Sequence, residues 1–91
     1  MFVVTCKDKA GALELRMANR PAHIEYLKAH LDKVVLGGAM LTDDRQSPIG
    51  STLVLDFQDR ADLDAFLAED PYVKSGLFEQ VTIVPFRKAL P

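Results

Sequence analysis

The segment VVLGGAMLTDDRQSPIGSTLVLDF (residues 34–57) determines the fold class, because it contains two predicted strands joined by a short polar loop. Its first half is apolar but is interrupted at Gly37 and Gly38, where a bulge, or the close approach of a ligand or another backbone, would explain the missing side chains. Polar residues ending in Pro48 indicate the loop of a hairpin. Residues 50–57 then alternate between two faces. We therefore predict strands at residues 34–41 and 50–57.

One strand and one helix are predicted before this pair. Residues 2–6 are β-branched and aromatic, which indicates a strand. Asn19 is a favoured N-cap residue, and Pro21 just inside a helix needs no hydrogen-bonded N–H. The sequence therefore predicts a helix from Asn19 to near Asp32, with Ile24, Leu27 and Leu31 on its apolar face. Residues 12–18 stay open between a loop and a separate short turn.

A second helix and a fourth strand are predicted after the pair. Asp59 and Asp62 approximate a capping box, and a buried stripe follows at Leu63, Phe66 and Leu67. Pro71 ends this helix, because the residue before a proline is disfavoured in helical conformation. A short turn at 73–77 then leads into a strand at 78–86.

The resulting order, βαββαβ, predicts a single α+β domain over residues 1–91 with a ferredoxin-like sandwich fold. In that fold an antiparallel four-stranded sheet carries both helices on one face. Val54 and Val84 fall on the other face, where a sheet exposed to water would be more polar. We therefore expect a homodimer that pairs through this sheet face as a dimeric α+β barrel.

Composition argues against several classes of partner. The 91 residues carry a formal net charge of −2 and have a pI near 5.6, so no basic field is available to hold a nucleic-acid backbone. An RNA-recognition domain shares the strand order but would expose aromatic residues on its sheet, where this chain has aliphatic ones. The sequence contains no apolar run long enough to indicate a membrane-spanning segment. The single Cys6, expected to pack in the core, and the lack of a leader favour a reducing cytoplasm.

Several motifs together are similar to the YciI-like family. They are RPAH at 20–23, Gly38 ahead of Met40-Leu41, PIGS at 48–51, and Asp70-Pro71-Tyr72 followed by Gly76-Leu77-Phe78. The resemblance covers nearly the whole chain. It implies a dimeric ferredoxin-like barrel with an active site built around a histidine and an aspartate, which by position are His23 and Asp70. The best-defined enzymatic relatives, dehydrochlorinases of chlorinated hydroxyhydroquinones, are distant.

The chemistry of His23 and Asp70 agrees with that implication. An imidazole exchanges protons near neutral pH, so His23 is a candidate general base or acid. A carboxylate on its other ring nitrogen would fix the tautomer and stabilise the imidazolium, which is the role expected of Asp70. Each residue also has a purely structural interpretation. His23 could simply be hydrogen-bonded at the edge of an apolar stripe, and aspartate before proline is a common turn former.

Three further residues are candidate substrate-binding groups. Arg20 could clamp a carboxylate or phenolate. Ser51 could donate a hydrogen bond to a ligand, and Tyr72 could contact a ring of the ligand. The structural alternatives are a solvated surface arginine for Arg20, a polar residue at the start of a strand for Ser51, and ordinary packing for Tyr72. No metal site is predicted, because His23 and His30 lie seven residues apart on one helix, about 10 Å along its axis, which is too far for one ion.

Two functional hypotheses remain open. The first is an enzyme that needs no cofactor and uses His23, Asp70 and Arg20 for lyase or isomerase chemistry on a small aromatic or anionic molecule. The second is a non-catalytic dimeric module that binds a small molecule or has a regulatory or accessory role. A cofactor-free monooxygenase of similar barrel architecture is a further alternative.

Overall fold

The computed structural model describes all 91 residues and contains four strands, three α-helices and one 3₁₀ helix. In chain order these are β1 (Phe2–Asp8), α1 (Leu13–Lys28), the 3₁₀ helix (Leu31–Lys33), β2 (Val34–Leu41), β3 (Pro48–Leu55), α2 (Arg60–Ala68), α3 (Pro71–Lys74) and β4 (Phe78–Pro85). The strands form one antiparallel sheet in the order β2-β3-β1-β4. The predicted ferredoxin-like α+β fold is confirmed. None of the helices has both the length and the apolar character needed to cross a bilayer.

The hydrophobic core lies between the helices and one face of the sheet. Alternate residues of the two central strands, β1 and β3, point toward α2, and side chains of α1 pack against the same cluster. Complete burial of one such aliphatic or aromatic side chain stabilises the fold by about 1.5–3 kcal/mol. The buried members are Phe2, Val4, Cys6, Leu53, Leu55, Leu63, Phe66 and Leu67.

Helix α1 begins six residues before the predicted start at Asn19, so that prediction is wrong. Residues 12–18, left open from sequence, form its N-cap and first turns, after Gly11 in the left-handed conformation at φ +70°. Asn19 lies inside the helix, and its Nδ2 donates to the carbonyl of Leu15 at 2.9 Å. Pro21 also lies inside the helix. Arg16, in the first turn of α1, makes buried contacts that are described below. These tertiary contacts stabilise a helix that starts before Asn19 and Pro21, the two residues whose local preferences predicted the later start.

The other boundaries need smaller corrections. Helix α1 ends at Lys28, and Leu31, predicted to be on its apolar face, lies in the 3₁₀ helix with 65% of its surface exposed. Asp59 occupies the N-cap of α2, but its side chain makes no capping hydrogen bond, so the expected capping box with Asp62 does not form. The predicted turn at 73–77 is replaced by α3, which starts at Pro71.

The two glycines of β2 have different surroundings. A β-carbon on Gly37 would lie 2.6 Å from Leu53 Cδ2, so glycine allows a close approach of β3 at this position. A β-carbon on Gly38 would meet nothing within 4 Å. The bulge considered from sequence falls earlier, where the β2–β3 register shifts between Val34 and Leu36.

The opposite face of the sheet carries an apolar row that crosses all four strands. Pairing aligns Leu36 with Val54, Val54 with Val3, and Val3 with Val84. The two end members are exposed, Leu36 by 56% and Val84 by 48%. Both long helices pack on the other side, so this row faces outward.

We predict that Gly50→Ala destabilises the protein by about 1–3 kcal/mol, because overpacking of a tight site forces the backbone to shift. Its new β-carbon would overlap the carbonyl oxygen of Cys6 on β1 and the side chain of Met40. The matched control is Gly38→Ala, also in a strand, whose β-carbon has free space. Urea unfolding measures both. Equal stability of the two variants would contradict the predicted overlap.

Candidate functional site

One face of α1 carries three polar side chains toward the same small cavity. Arg16, Arg20 and His23 are spaced i, i+4 and i+7, so they fall on one side of the helix. The cavity has a volume of about 170 Å³. Its other walls are formed by residues of α1, β2, β3 and α3: Ile24, Leu27, Gly37, Gly38, Ala39, Ser51 and Tyr72.

His23 and Asp70 form a buried hydrogen-bonded pair. His23 Nδ1 lies 2.8 Å from Asp70 Oδ1, and the two residues are 6% and 1% exposed. Asp70 Oδ1 also accepts the backbone N–H of Tyr72, so we assign it as the acceptor here and Nδ1 as the hydrogen-bearing donor. Nε2 makes no hydrogen bond within the protein, and no solvent-inaccessible side-chain nitrogen or oxygen lacks a partner. Nε2 is therefore the nitrogen of His23 that the cavity can reach.

Helix α3 fixes Asp70 and Tyr72 around this imidazole. Asp70 is the N-cap of α3, and its Oδ1 also accepts the backbone N–H of Tyr72 at 2.9 Å. The Tyr72 ring stacks on the His23 ring with centroids 3.8 Å apart and planes inclined by 13°. The carboxylate holds the edge of the imidazole and Tyr72 covers its face, so the ring has one orientation.

A buried ion pair lies beside this group. Arg16 Nε donates to Asp8 Oδ2 at 2.7 Å and Nη2 donates to Oδ1 at 3.1 Å, which is a fork-to-fork arrangement. The guanidinium also donates to Ser51 Oγ at 2.7 Å and to the Tyr72 hydroxyl at 3.4 Å. Burial disfavours the charged guanidinium, but the hydrogen bond to Asp8 and its charge outweigh burial and raise the pKa of Arg16. Arg16 therefore joins α1 to β1, β3 and α3.

Arg20 has a different environment from Arg16. It lines the cavity and is exposed, and it makes no side-chain hydrogen bond or ion pair. The carboxylates nearest the site, Asp8 and Asp70, already have partners and do not line this cavity. The charged groups that the cavity presents are therefore guanidinium groups, which favours an anionic or electron-rich ligand.

Three other reactive or polar side chains, those of Cys6, Tyr26 and His30, lie outside the cavity. Cys6 is buried in the core, and burial, with the charges of Asp70 and Asp8, raises the pKa of its thiol to about 12, so it stays protonated. His30 Nδ1 bonds to the carbonyl of Tyr26 at 2.8 Å. The Tyr26 hydroxyl donates to the carbonyl of Phe66 at 2.7 Å. No three His, Cys, Asp or Glu side chains are grouped so that they could hold a metal ion.

A larger cleft of about 610 Å³ lies at the turn between β1 and α1. Its charged residues include Lys7, which pairs with Glu79 at 3.4 Å, and Asp8, which is bound by Arg16. It contains no histidine and no free acid/base pair. The smaller cavity at His23 is therefore the better candidate site, despite its size.

The structure thus brings all five sequence-predicted residues into one region. Four of them line the cavity: Arg20, His23, Ser51 and Tyr72. Asp70 does not line it but forms a hydrogen bond with Nδ1 of His23. Sequence reasoning missed Arg16 and Asp8. The spacing of Arg16 from Arg20 and His23 would have revealed it, had the helix been predicted to start at residue 13. Asp8 had no comparable signal, because it follows the predicted end of strand β1.

Comparison with known proteins agrees with the sequence motifs. The family model described as the YCII-related domain matches residues 1–87. This chain belongs to the YCII-related family. Protein YciI of Escherichia coli O6:H1 is 34% identical over 95 residues, which cover 97% of each chain. An uncharacterized protein of Haemophilus influenzae is 29% identical over 96% of each chain.

A solved structure is also similar over almost the whole chain. It is the 5-chloro-2-hydroxyhydroquinone dehydrochlorinase of Burkholderia phenoliruptrix AC1100, in complex with 2,5-dihydroxybenzoquinone. The TM-score is 0.87 and the sequence identity is 29%, with 94% of this chain and 92% of the other covered. The resemblance to the YciI-like family and its fold is confirmed by these matches.

We predict that the Asp8–Arg16 pair is strongly coupled in stability. Arg16→Gln or Asp8→Asn should each cost about 3–5 kcal/mol, because each leaves its former partner buried without an opposite charge. The double variant should cost less than the sum, since neither charge remains. Denaturant unfolding of the three proteins gives the coupling energy.

The control for this double-mutant cycle of Asp8 and Arg16 is Arg60→Gln, which breaks an exposed ion pair with Asp64 on α2. That change should cost only about 0.3–0.5 kcal/mol. Strictly additive losses at Asp8 and Arg16 would contradict the coupling.

Proposed function

We propose that this protein is a cofactor-independent acid/base enzyme that acts on a small anionic or phenolic molecule. His23 is the group that moves the proton, and Asp70 orients it. The observation that supports this most directly is the pairing of His23 Nδ1 with buried Asp70 at 2.8 Å, which leaves Nε2 as the nitrogen available to a ligand. Arg20, Ser51 and Tyr72 are the proposed substrate-binding residues.

The proposed reaction begins when His23 Nε2 takes an acidic proton from the substrate. The electron pair left behind either remains as an enolate or phenolate, or expels a leaving group such as chloride. The imidazolium that forms is stabilised by the carboxylate of Asp70. It then returns the proton to another atom of the substrate, which gives an isomerase, or releases it to solvent, which gives a lyase.

Similarity to the dehydrochlorinase supports the lyase outcome. Its name describes the removal of hydrogen and chloride from a hydroxylated ring, and its structure holds a dihydroxybenzoquinone. A cavity of about 170 Å³ is of the same order as an engineered cavity of about 150 Å³ that binds benzene. One substituted ring is therefore a suitable substrate size.

The test uses a panel of single-ring phenols and enolisable carboxylates that includes 5-chloro-2-hydroxyhydroquinone. A thermal-shift screen identifies binders, and NMR in D₂O with chloride release measures proton transfer and elimination. We expect His23→Ala to lower the rate about 10²- to 10⁴-fold, the usual contribution of a positioned acid or base. His30→Ala is the matched control, because His30 bonds to Tyr26 outside the cavity.

Equal rates for wild type and His23→Ala would contradict the proposed role of His23. A compound that binds wild type without exchange or elimination would instead favour the non-catalytic small-molecule-binding module.

We further propose that the protein is a homodimer paired through the apolar row of the sheet, Leu36, Val54, Val3 and Val84. An antiparallel sheet with one face open to water normally carries polar residues there, and pairing would remove the exposed side chains of Leu36 and Val84 from water. Val84→Asp should therefore produce a folded monomer, because a buried charge at the interface has no partner. Sedimentation equilibrium measures the mass. The control Leu31→Asp changes an exposed residue of the 3₁₀ helix and should leave the mass unchanged.

A further inference from the structure

Arg16 imposes a direction on the hydrogen bonds of two hydroxyl groups. A guanidinium has five N–H donors and no acceptor. In its contacts with Ser51 Oγ at 2.7 Å and the Tyr72 hydroxyl at 3.4 Å, Arg16 must therefore donate, and each hydroxyl oxygen must accept. Neither hydroxyl can direct its own hydrogen at Arg16.

Those two hydroxyl hydrogens have no acceptor within the protein. Neither the Ser51 nor the Tyr72 hydroxyl donates a hydrogen bond to any other group, although the two residues are only 3% and 1% exposed. Both residues line the cavity at His23. The cavity is therefore the place where each O–H can find an acceptor.

We propose that Ser51 and Tyr72 form a two-hydroxyl oxyanion site, set as donors by the positioning residue Arg16, that binds the enolate or phenolate oxygen of a single-ring substrate. This inference rests on the proposed function, because it names the charge that proton removal by His23 would create. Preorganised donors aimed at developing charge are among the larger contributions to catalysis. It also restricts the substrate class to molecules whose oxygen becomes negative during the reaction.

The electrostatic environment is consistent with this role. Burial raises the pKa of Tyr72 above its ordinary value, against the opposing charges of Arg16 and Arg20, so the phenol keeps the hydrogen that it must donate. Arg20, which makes no ion pair, adds a positive charge at the cavity wall. The stacking of Tyr72 on His23 places the donor beside the ring that takes the proton.

The experiment uses 4-nitrophenol, whose ionised form absorbs visible light, as a single-ring probe. Spectroscopic titration of the bound probe measures the preference of the site for phenolate over phenol. In wild type the bound probe should ionise at a lower pH than the free probe. Ser51→Ala and Tyr72→Phe should each reduce the preference for phenolate about 10- to 100-fold, the usual value of a hydrogen bond to a charged group. Binding of the neutral form should change less than threefold.

Two control variants remove hydroxyls that lie elsewhere. Ser75→Ala removes a hydroxyl that donates to the carbonyl of Tyr72 on α3, and Tyr26→Phe removes one that donates to Phe66. Both should retain the wild-type preference for phenolate. If they lose it as Ser51→Ala and Tyr72→Phe do, the effect is structural and the proposal is wrong.

The role of Arg16 is tested in a variant of unchanged net charge. Asp8→Asn combined with Arg16→Gln replaces a donor-only group by an amide whose oxygen can accept from both hydroxyls. The preference for phenolate should fall about 10-fold or more while Ser51 and Tyr72 are still present, and circular dichroism checks the fold. Loss of fold in this variant would leave the single variants Ser51→Ala and Tyr72→Phe to decide the proposal.

The oxyanion site and the proposed enzyme can fail separately. His23→Gln should abolish proton transfer yet keep most of the phenolate preference, since both hydroxyls remain. If wild type binds phenolate selectively but catalyses nothing, the oxyanion site stands and the enzyme does not. If catalysis depends on His23 while both hydroxyl variants bind phenolate as wild type does, the oxyanion site is wrong. Failure of wild type to bind 4-nitrophenol, or to prefer its ionised form, also overturns it.

Discussion

The buried guanidinium of Arg16 is the group on which the rest of the site depends. A charge removed from water costs several kcal/mol unless it is paired and hydrogen-bonded, so the chain must supply partners for it. Asp8 supplies the opposite charge from β1, and Ser51 and Tyr72 supply oxygen acceptors from β3 and α3. The first turn of α1 is therefore held to three other elements by one side chain. Arg16, Ser51 and Tyr72 also line the cavity at His23.

A second consequence concerns the polarity of the cavity. Both carboxylates of the region are already bound, Asp8 by Arg16 and Asp70 by His23, and neither lines the cavity. What remains available to a ligand is an imidazole nitrogen, two hydroxyl hydrogens and the guanidinium of Arg20. The fold thus separates its negative charges from the place where a ligand would sit. Such a site suits molecules that carry or develop negative charge.

The sequence predicted the sheet more successfully than it predicted the first helix. The family resemblance implied His23 and Asp70 as a pair, and in the structure their side chains lie 2.8 Å apart. The alternation of residues between the two faces of β3 and the apolar stripe of α2 are strong local patterns. The order of the predicted helices and strands then led to the fold prediction. Asn19 and Pro21 are also strong local signals, but they predicted the wrong helix start. The ion pair of Arg16 with Asp8 is a tertiary interaction eight residues apart in sequence, and nothing local indicates that it will be buried. Arg16 was missed because the predicted helix started too late, whereas Asp8 lies beyond the predicted end of β1 and had no signal of its own.

Asp70 Oδ1 serves two acceptor roles at once, because it binds His23 Nδ1 and also caps α3 through the backbone N–H of Tyr72. Helix α3 has only four residues, which is too short to persist without such a cap. The integrity of this short helix and the orientation of the imidazole are therefore thermodynamically linked. Local opening of α3 releases the histidine, and a ligand that holds the histidine in place protects α3. The backbone amide of Tyr72 is consequently a natural hydrogen-exchange reporter for the state of the site.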